Sequence, residues 1–316
     1  MQKPEYSILI PNWNGADFIE RAISSLIISA REYGRPYEFI VIDDASTDSS
    51  PETIKTQFPE VTLLKNKTNV GFGRTVNRVV KQANSPVVVL ANNDLAVKED
   101  FIRNLLDPFH DKEFAPLFGV SARTLNWTDG TPNHLNMTAS FKNGMVELDY
   151  EDSQALCPTL FLQGGACALL RNVFLQLGGF SAIFHPGYWE DYDISYRAAR
   201  MGYRLVYQPR ALAYHFGKGS LMQLLGREGL NTISARNHFL FTWLNLRDPA
   251  MLTSHFLKLP VNLFLEQVSG DPPRLTKGCL KAAPRIFRVM RERRKRKEKI
   301  RVSDQRILSS KKKSRP

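Results

Sequence analysis

Three carboxylates lie within four positions of an aromatic stretch, at Glu190, Asp191 and Asp193. Burial and mutual repulsion raise carboxylate pKa values, which is how a protein makes a general base that works near neutral pH. One of these acids is therefore a candidate general base. The alternative is a solvated helix start, because acidic residues favour the first turn of a helix and a helical pattern follows at residues 194–200. This stretch by itself leaves both interpretations open.

Polar side chains recur where predicted strands end, and they indicate a second candidate site. Residues 6–10, 38–44, 61–64 and 86–91 are short apolar strands that alternate with helices, which predicts an α/β fold with a parallel sheet covered on both faces. Ligands of such sheets bind beyond the carboxyl ends of the strands. The polar residues at those ends are Asn12, Asn14, Asp43, Asp44, Asn92, Asn93 and Asp94. Any one of them could simply cap a helix, but three strand ends carry them.

Asp94 and His215 each follow a predicted strand and could meet over the sheet. A carboxylate oxygen and an imidazole nitrogen are suitable ligands for Mn2+ and can also bind Mg2+. Mg2+ commonly takes only one or two protein ligands, and phosphate oxygens and water fill its other coordination positions. A divalent ion there would neutralise a departing diphosphate. The alternatives are a helix cap for Asp94 and an ordinary strand-end histidine for His215.

Three glycine-containing segments could approach a ligand closely. Gly71 opens a helix, where the macrodipole and Arg74 would favour an anion. The glycine pair at 164–165 allows close approach or a tight bend. Residues 215–220 place Lys218 between two glycines and could wrap a phosphate. None of these segments has the Walker spacing or the full dinucleotide-binding fingerprint, which disfavours a nicotinamide or flavin cofactor.

The basic charge of the chain is confined to its end. The 316 residues include 43 Lys and Arg against 31 Asp and Glu, a net charge of +12. Residues 284–316 hold 15 of these basic side chains and 3 of the acidic ones, so residues 1–283 are neutral overall. The body is therefore not a nucleic-acid-binding groove. We expect residues 284–316 to be a polybasic, disordered tail that is attracted to anionic lipid.

Residues 249–283 are predicted to form an apolar helical segment that contacts a membrane or a partner. Lys258, Pro260 and Asn262 interrupt it, which makes it too broken to span a bilayer, although it could lie in the interface. The chain shows no signal-peptide pattern, and its three cysteines form neither a disulfide framework nor a metal spacing. We therefore expect a cytoplasmic protein that is at most peripheral on the membrane, with its oligomeric state open.

Together, these motifs resemble those of the family 2 glycosyltransferases, in particular the bacterial sugar transferases that include rhamnosyltransferases. The resemblance covers about residues 6–247. It rests on ordered motifs at residues 10–15, 41–48, 69–77, 92–94, 178–180 and 190–193 and at His215. It implies a GT-A fold over residues 1–248, with a nucleotide-sugar half at about 1–115 and an acceptor half, with a smaller antiparallel sheet, at about 116–248.

The resemblance also implies a single inverting displacement that moves a sugar from a nucleoside diphosphate, with UDP or dTDP favoured, to a hydroxyl of a glycan or lipid-linked acceptor. It makes Asp191 the base, Glu190 its neighbour that sets the pKa or holds the acceptor, Asp94 and His215 the metal ligands, and Asp43 a nucleobase contact. The nucleotide-sugar site is expected to include Pro11, Asn12, Asn14, Asp43, Asp44, Gly71, Arg74, Asn77, Asn92, Asn93, Gly164, Gly165 and Lys218.

One departure and two rival functions accompany this prediction. Asn92 stands where the metal triplet of the family often begins with Asp, so charge neutralisation at the metal is reduced by one. A sugar-nucleotide pyrophosphorylase would need an early cationic glycine-rich loop, whereas residues 11–15 carry no cation. An inactive nucleotide-sugar-binding or membrane scaffold would not need to retain Glu190, Asp191 and Asp94.

Arg236 and Asn237 lie in a later helical stretch. They could contact a diphosphate or an acceptor, or they could simply pack.

Overall fold

The computed structural model of the chain describes residues 3–217, 220–269, 273–296 and 299–309, with the backbone alone at 220–224. Its strands and helices, in chain order, are β1 (Tyr6–Asn12), α1 (Ile19–Tyr33), β2 (Tyr37–Asp43), α2 (Ser50–Gln57), β3 (Thr62–Lys65), α3 (Phe72–Gln82), β4 (Val87–Ala91), β5 (Leu95–Val97), α4 (Phe101–Leu106), β6 (Leu117–Asn126), β7 (Pro132–His134), β8 (Asn136–Lys142), β9 (Met145–Glu151), β10 (Cys157–Pro158), β11 (Ala166–Leu170), α5 (Arg171–Gln176), α6 (Glu190–Arg200), β12 (Arg204–His215), α7 (Ser220–Asn245), α8 (Pro249–Val268), α9 (Arg274–Ala282), α10 (Ile286–Lys295) and α11 (Asp304–Ile307).

A mixed sheet forms the centre of the fold. Its order is β10-β12-β6-β11-β4-β1-β2-β3, with β5 paired to β12 and β7 to β6. β1 pairs in parallel with β2 and β4, β2 with β3, and β6 with β12, whereas β11 is antiparallel to both β4 and β6. The carboxyl ends of β1, β2 and β4 therefore lie at one edge of the sheet. This architecture confirms the predicted α/β class with a mostly parallel sheet.

Successive side chains of a strand point to opposite faces of the sheet. Because these strands carry apolar side chains on both faces, helices cover both faces. On one face, Ile8 of β1 packs in a cluster with Ile23 of α1. On the other face, Leu9 packs in a cluster with Val76 of α3 and Ile194 of α6. The buried face of α6 thus sets the position of the acidic cluster at the start of that helix.

The strands β8 and β9 form a separate antiparallel hairpin, with a turn at Asn143 and Gly144 between them. The hairpin belongs to a third apolar cluster, in which Met137 and Val146 accompany Trp189 and residues of α7. This is the smaller antiparallel sheet that the sequence predicts for the second half of the chain. The third cluster joins the hairpin to the helices that follow the main sheet.

β12 is a single strand that continues across Pro209. Its pairing with β6 is irregular between Gln208 and Leu212, and Pro209, which has no N–H to donate, lies inside that interruption. Beyond it the strand continues to His215, which pairs with Leu95 of β5. The strand therefore brings His215 beside the residue that follows Asp94 in the chain.

The described part of the predicted disordered tail is folded, so the prediction of disorder is corrected there. Val289 of α10 is buried in the third apolar cluster. Arg293 donates a hydrogen bond to the carbonyl of Leu246 at 2.7 Å, and Arg296 donates one to the carboxylate of Asp193 at 2.8 Å. Charge counting alone predicts disorder because it does not reveal these buried acceptors.

The apolar segment at 249–283 forms α8 and α9, with Pro260 inside α8. Glu266 of α8 accepts hydrogen bonds from the backbone N–H groups of Leu275 and Thr276, at 2.6 and 2.8 Å, and so joins the two helices. Within the part of the chain that the structure describes, no helix has both the length and the hydrophobicity needed to cross a membrane.

Candidate active site

A cleft of about 740 Å³ opens at the carboxyl ends of β1, β2 and β4. Its volume is within the range of small-molecule sites, which is about 300–1,000 Å³. The residues of the predicted site that line it are Pro11, Asn12, Asp44, Gly71, Asn92, Asn93, Asp94, Gly164, Gly165, Glu190, Asp191 and His215. The fold therefore brings the acidic cluster and the strand-end residues into one cavity. Lys218 lies outside the described residues.

Asn12 ties three strand ends together from a fully buried position. Its side-chain amide donates hydrogen bonds to Asp43 Oδ1 at 3.0 Å and to Ser50 Oγ at 2.9 Å, and its Oδ1 accepts one from Asn93 Nδ2 at 2.8 Å. Each of these polar groups would be costly to bury without a partner. The network therefore fixes the ends of β1, β2 and β4 relative to one another.

The two consecutive aspartates at the end of β2 have different surroundings. Asp43 accepts hydrogen bonds from Asn12 and from the backbone N–H of Ser46, at 3.1 Å, and it is not among the described residues that line the cleft. Asp44 lines the cleft, and its Oδ2 accepts a hydrogen bond from the N–H of Gly71 at 2.8 Å. Among the described residues, Asp44 and not Asp43 therefore faces the cleft.

Three other residues of the predicted nucleotide-sugar site are absent from the described cleft lining. Asn14 is exposed and accepts a hydrogen bond from the N–H of Thr47 at 2.9 Å, so it shapes the loop after β1. Arg74 is exposed on α3. Asn77 exchanges two hydrogen bonds of 2.8 Å with the backbone of Phe180 and therefore holds the turn before the acidic cluster.

The first two acids of the cluster begin α6 and face the cleft. Asp191 Oδ2 accepts a hydrogen bond from the N–H of Gly164 at 3.0 Å, and Oδ1 accepts one from the N–H of Tyr192 at 2.9 Å. Desolvation nevertheless raises the pKa of Asp191 to about 6. Burial and the charge of Asp191 raise the pKa of Glu190 to about 8. Two adjacent carboxyl groups with raised pKa values indicate an acid–base site.

The glycine pair after Gln163 is explained by close packing on two of these side chains. A Cβ on Gly165 would lie 2.3 Å from the amide carbon of Asn92, and one on Gly164 would lie 3.1 Å from Cβ of Asp191. Any larger residue at Gly165 would therefore displace Asn92. The glycine pair therefore lies between Asn92, which follows β4, and Asp191 of the acidic cluster.

Asp193, the third acid of the cluster, does not face the cleft. Its buried carboxylate accepts hydrogen bonds from Arg197 Nε at 2.9 Å, from Arg296 at 2.8 Å and from Asn245 Nδ2 at 2.8 Å. Burial alone would raise the pKa of Asp193, but the charges of Arg197 and Arg296 hold it below its usual value. Asp193 is therefore a fixed negative charge that anchors α6, and not a candidate base.

Asp94 and His215 form the other polar pair of the cleft, with Oδ2 and Nε2 3.3 Å apart. Burial raises the pKa of Asp94, although His215 opposes that shift. Two ligands that share a six-coordinate ion with bonds of about 2.1 Å are roughly 3 Å apart, so this spacing fits a divalent metal. The described residues contain no group of three or more His, Cys, Asp or Glu side chains suited to a metal. Phosphate oxygens and water would have to complete the coordination.

The loop before α6 has a strained backbone. Tyr188 and Trp189 both have positive φ, at 71° and 75°, which is uncommon for residues other than glycine. Asn237 of α7 lies beneath this loop, and its Nδ2 is 2.8 Å from the carbonyl oxygens of both Gly187 and Tyr188. Arg236 donates a hydrogen bond to the carbonyl of His185 at 2.8 Å. These two α7 residues therefore hold the loop, and neither is among the described residues that line the cleft.

Several cleft residues were missed by the sequence reasoning. They come from the hairpin, from the loop before α6, from α6 itself and from the ends of three strands, and they include Trp13, His134, Leu148, Tyr150, Gln163, His185, Tyr188 and Tyr192. The alternating pattern of β9 could have indicated that Leu148 and Tyr150 share one face. Which face meets the cleft depends on how the hairpin packs, and the local sequence does not encode that.

A model of glycosyl transferase family 2 matches residues 7–178, which is more than half of the chain. The chain belongs to glycosyl transferase family 2. This membership makes it a glycosyltransferase, as its motifs predict. The matched part includes the ends of β1, β2 and β4 and the glycine pair, whereas α6 lies beyond it.

This family 2 glycosyltransferase is also similar to a curated protein and to solved structures. It shares 27% identity over 260 residues with an N-acetylglucosaminyl-diphospho-decaprenol L-rhamnosyltransferase from Mycobacterium tuberculosis, covering 73% of this chain and 80% of the relative. A mannosyltransferase from Pyrobaculum calidifontis, solved with GDP-Man and Mn2+, superposes with a TM-score of 0.54 at 17% identity, covering 92% and 83%. TarS from S. aureus, solved with UDP-GlcNAc, superposes with a TM-score of 0.51 at 15% identity, covering 91% and 83%. These structural neighbours confirm the GT-A fold.

Proposed function

We propose that this glycosyltransferase moves a sugar, with inversion, from a nucleoside diphosphate to a hydroxyl group of a cell-envelope glycan or lipid-linked acceptor. The observation that carries the proposal is Asp191, a carboxylate with a raised pKa that faces the same cleft as Asp94 and His215. The names of the relatives support the class of substrate, since one is a rhamnosyltransferase acting on a diphospho-decaprenol and another was solved with UDP-GlcNAc.

Asp191 is the proposed general base. As the acceptor oxygen forms its bond to the anomeric carbon, the bond from that carbon to the diphosphate oxygen breaks and the acceptor proton moves to Asp191. The N–H of Gly164 holds Oδ2 at 3.0 Å, so the carboxylate keeps one orientation during this transfer. Glu190, whose pKa is raised to about 8, is mainly protonated at neutral pH and can donate a hydrogen bond to the acceptor.

Asp94 and His215 are the proposed ligands of a divalent metal, Mg2+ or Mn2+, at the diphosphate. When bound, the ion would offset the negative charge that leaves with the nucleotide. Asn92 packs against Gly165 and keeps its amide at the cleft wall, where it adds no negative charge to the site. Asp44 and the N-terminus of α3 form the wall on which the nucleotide is proposed to bind.

Asp191→Asn tests the base directly. The amide cannot accept the proton, so we expect turnover to fall by at least a hundredfold, because general base catalysis contributes about 10²–10⁴-fold. Nucleotide binding should persist, because Asp191 lies on α6 and the proposed nucleotide wall is built from β2 and α3. The measurement is release of nucleoside diphosphate, combined with thermal shifts in UDP, dTDP, GDP and CDP, each with and without Mn2+ or Mg2+.

Asp193→Asn is a poor control because it breaks a buried ion pair, so Glu99→Gln, at an exposed carboxylate that does not line the described cleft, serves instead. It should leave turnover near the unmodified level. Full turnover in Asp191→Asn would refute the assignment of the base. A thermal shift that does not depend on metal would refute the roles of Asp94 and His215 while leaving the base untouched.

A further inference from the structure

α8 exposes a continuous apolar stripe, here called the α8 stripe: Phe256, Leu257, Val261, Phe264, Leu265 and Val268. Leu257 is 72% exposed, Phe264 64% and Val268 63%. Positions three, four, seven, eight and eleven residues apart lie on one side of a helix, so these side chains form one surface. Single exposed apolar residues are ordinary, but a contiguous row of six marks a surface that meets something other than water.

The opposite side of α8 is fixed to the body of the protein. His255 is fully buried and accepts a hydrogen bond from Trp243 Nε1 of α7 at 2.9 Å, while its Nδ1 lies 2.6 Å from the carbonyl of Gly144. Asn262 donates a hydrogen bond to the carbonyl of Asn143 at 2.9 Å. The helix is therefore held by its inner side and cannot bury the α8 stripe by turning over.

The helical segment that carries the α8 stripe, residues 249–296, is cationic. Its described residues include eleven Lys and Arg against two acidic residues, and seven of these basic residues are exposed, whereas Arg293 and Arg296 bond inward to Leu246 and Asp193. Glu266 is one of those two acids, and the N–H groups at the start of α9 occupy its carboxylate. On α10, Phe287 and Met290 are also exposed, at 81% and 48%, beside the exposed Arg291.

We propose that the α8 stripe docks on an anionic membrane surface, with α8 lying in the interface and the exposed cations of α9 and α10 interacting with lipid headgroups. An interfacial helix buries its apolar side into the boundary of headgroups and acyl chains while basic side chains attract anionic lipid. Charge complementarity favours this occupant over a second copy of the chain, because a second copy would bring the same positive charge to the contact.

The hairpin connects this surface to the cleft. Its turn at Asn143 and Gly144 rests on α8, whereas Leu148 and Tyr150 of β9 line the cleft. β9 is seven residues long, which corresponds to about 23 Å at about 3.3 Å per residue. Under the proposed function, a lipid-linked acceptor could keep its lipid in the bilayer while its sugar reaches Asp191. The membrane contact itself does not depend on that function.

Vesicle sedimentation of the full chain tests the proposal without measuring turnover. The probes are vesicles of phosphatidylcholine mixed with phosphatidylglycerol and vesicles of phosphatidylcholine alone. We expect binding to the anionic vesicles, much weaker binding to the neutral ones, and roughly tenfold or greater loss of binding in Leu257→Glu/Phe264→Glu. Ile28→Glu, at a residue that is 54% exposed on α1, is the matched control and should bind as the unmodified chain does.

Equal binding by Leu257→Glu/Phe264→Glu and the unmodified chain would overturn the proposal, as would equal loss in Ile28→Glu. Light scattering without vesicles completes the experiment. A doubled mass that the paired substitutions abolish would assign the α8 stripe to a second copy and would also overturn the proposal. The melting temperature of each variant checks folding, and Leu257→Gln/Phe264→Gln repeats the test if the glutamates prevent folding.

Discussion

Two neighbouring carboxyl groups in the cleft differ in their hydrogen bonds and therefore in their chemistry. Asp191 accepts backbone hydrogen bonds on both oxygens, and these favour its charged form. Among the described residues, Glu190 Oε2 is buried without a hydrogen-bond partner, which favours its neutral form. Asp191 can therefore act as a proton acceptor at the same pH at which the neighbouring Glu190 is a hydrogen-bond donor. The sequence shows both acids but cannot show which of them has its oxygens satisfied.

The pH dependence of turnover follows from Asp191. A base works only when it is deprotonated, so the rate should rise with pH to a plateau, with a midpoint near the raised pKa of about 6. Below that midpoint the rate should fall about tenfold per pH unit. The measurement is kcat against pH under saturating donor and acceptor. Glu190→Gln keeps a hydrogen-bond donor and should keep this acidic limb, whereas a midpoint near about 4, the ordinary value of aspartate, would contradict the assignment.

At the scale of elements, the loop before α6 depends on a helix that is distant in the chain. Asn237 is fully buried and bonds to carbonyl groups of the loop that carries Tyr188 and Trp189 at positive φ. The Nε1 of Trp189 also donates a hydrogen bond to Ser234 of α7 at 3.2 Å. The sequence places Arg236 and Asn237 on a helix correctly, but it does not show that this helix supports the acidic cluster.

Asn237→Ala should lower kcat by at least tenfold and leave the KM for the donor within about twofold. The substitution leaves buried carbonyl groups without donors, at a cost of about 1–3 kcal/mol, and lets the strained loop relax away from the geometry that Asp191 requires. Steady-state kinetics measure the split between kcat and KM. Asn262→Ala, which removes a single surface hydrogen bond to the hairpin turn, is the control. Equal changes in kcat and KM would argue against a positioning role.

At the scale of the whole molecule, the described C-terminal segment completes the body of the protein. Arg296 reaches Asp193, which is 103 positions earlier in the chain. Asp304 accepts hydrogen bonds from the hydroxyl of Tyr196 and from the backbone N–H of Asp248, both at 2.8 Å. The helix that carries the proposed base is therefore held by residues from the far end of the chain. A local excess of positive charge predicts none of these contacts.

Arg296→Ala should lower the free energy of unfolding by about 2 kcal/mol at neutral pH, because it removes one of the two Arg partners of the buried Asp193 while Arg197 remains. The pKa of Asp193 is held below its usual value in the folded protein, so this stabilisation exists above the unfolded pKa and is lost as pH falls through the folded pKa. Urea unfolding at neutral and acidic pH should therefore show a difference that shrinks in acid. Arg294→Ala, at an exposed position of α10, should change stability little. A difference that is constant with pH would rule out the ion pair as its cause.

The sequence by itself determined the α/β class, the edge of the sheet where the cleft lies and the family, because alternating apolar strands and helices and the polar residues that end them are local patterns. The tertiary structure decided that Asp44 lines the cleft in place of Asp43, that Asp193 is ion-paired, and that the described end of the chain is folded. These outcomes depend on partners far away in the chain. Local pattern fixes which side of a strand or helix is apolar, but only the packing of whole elements determines which neighbour each polar group meets.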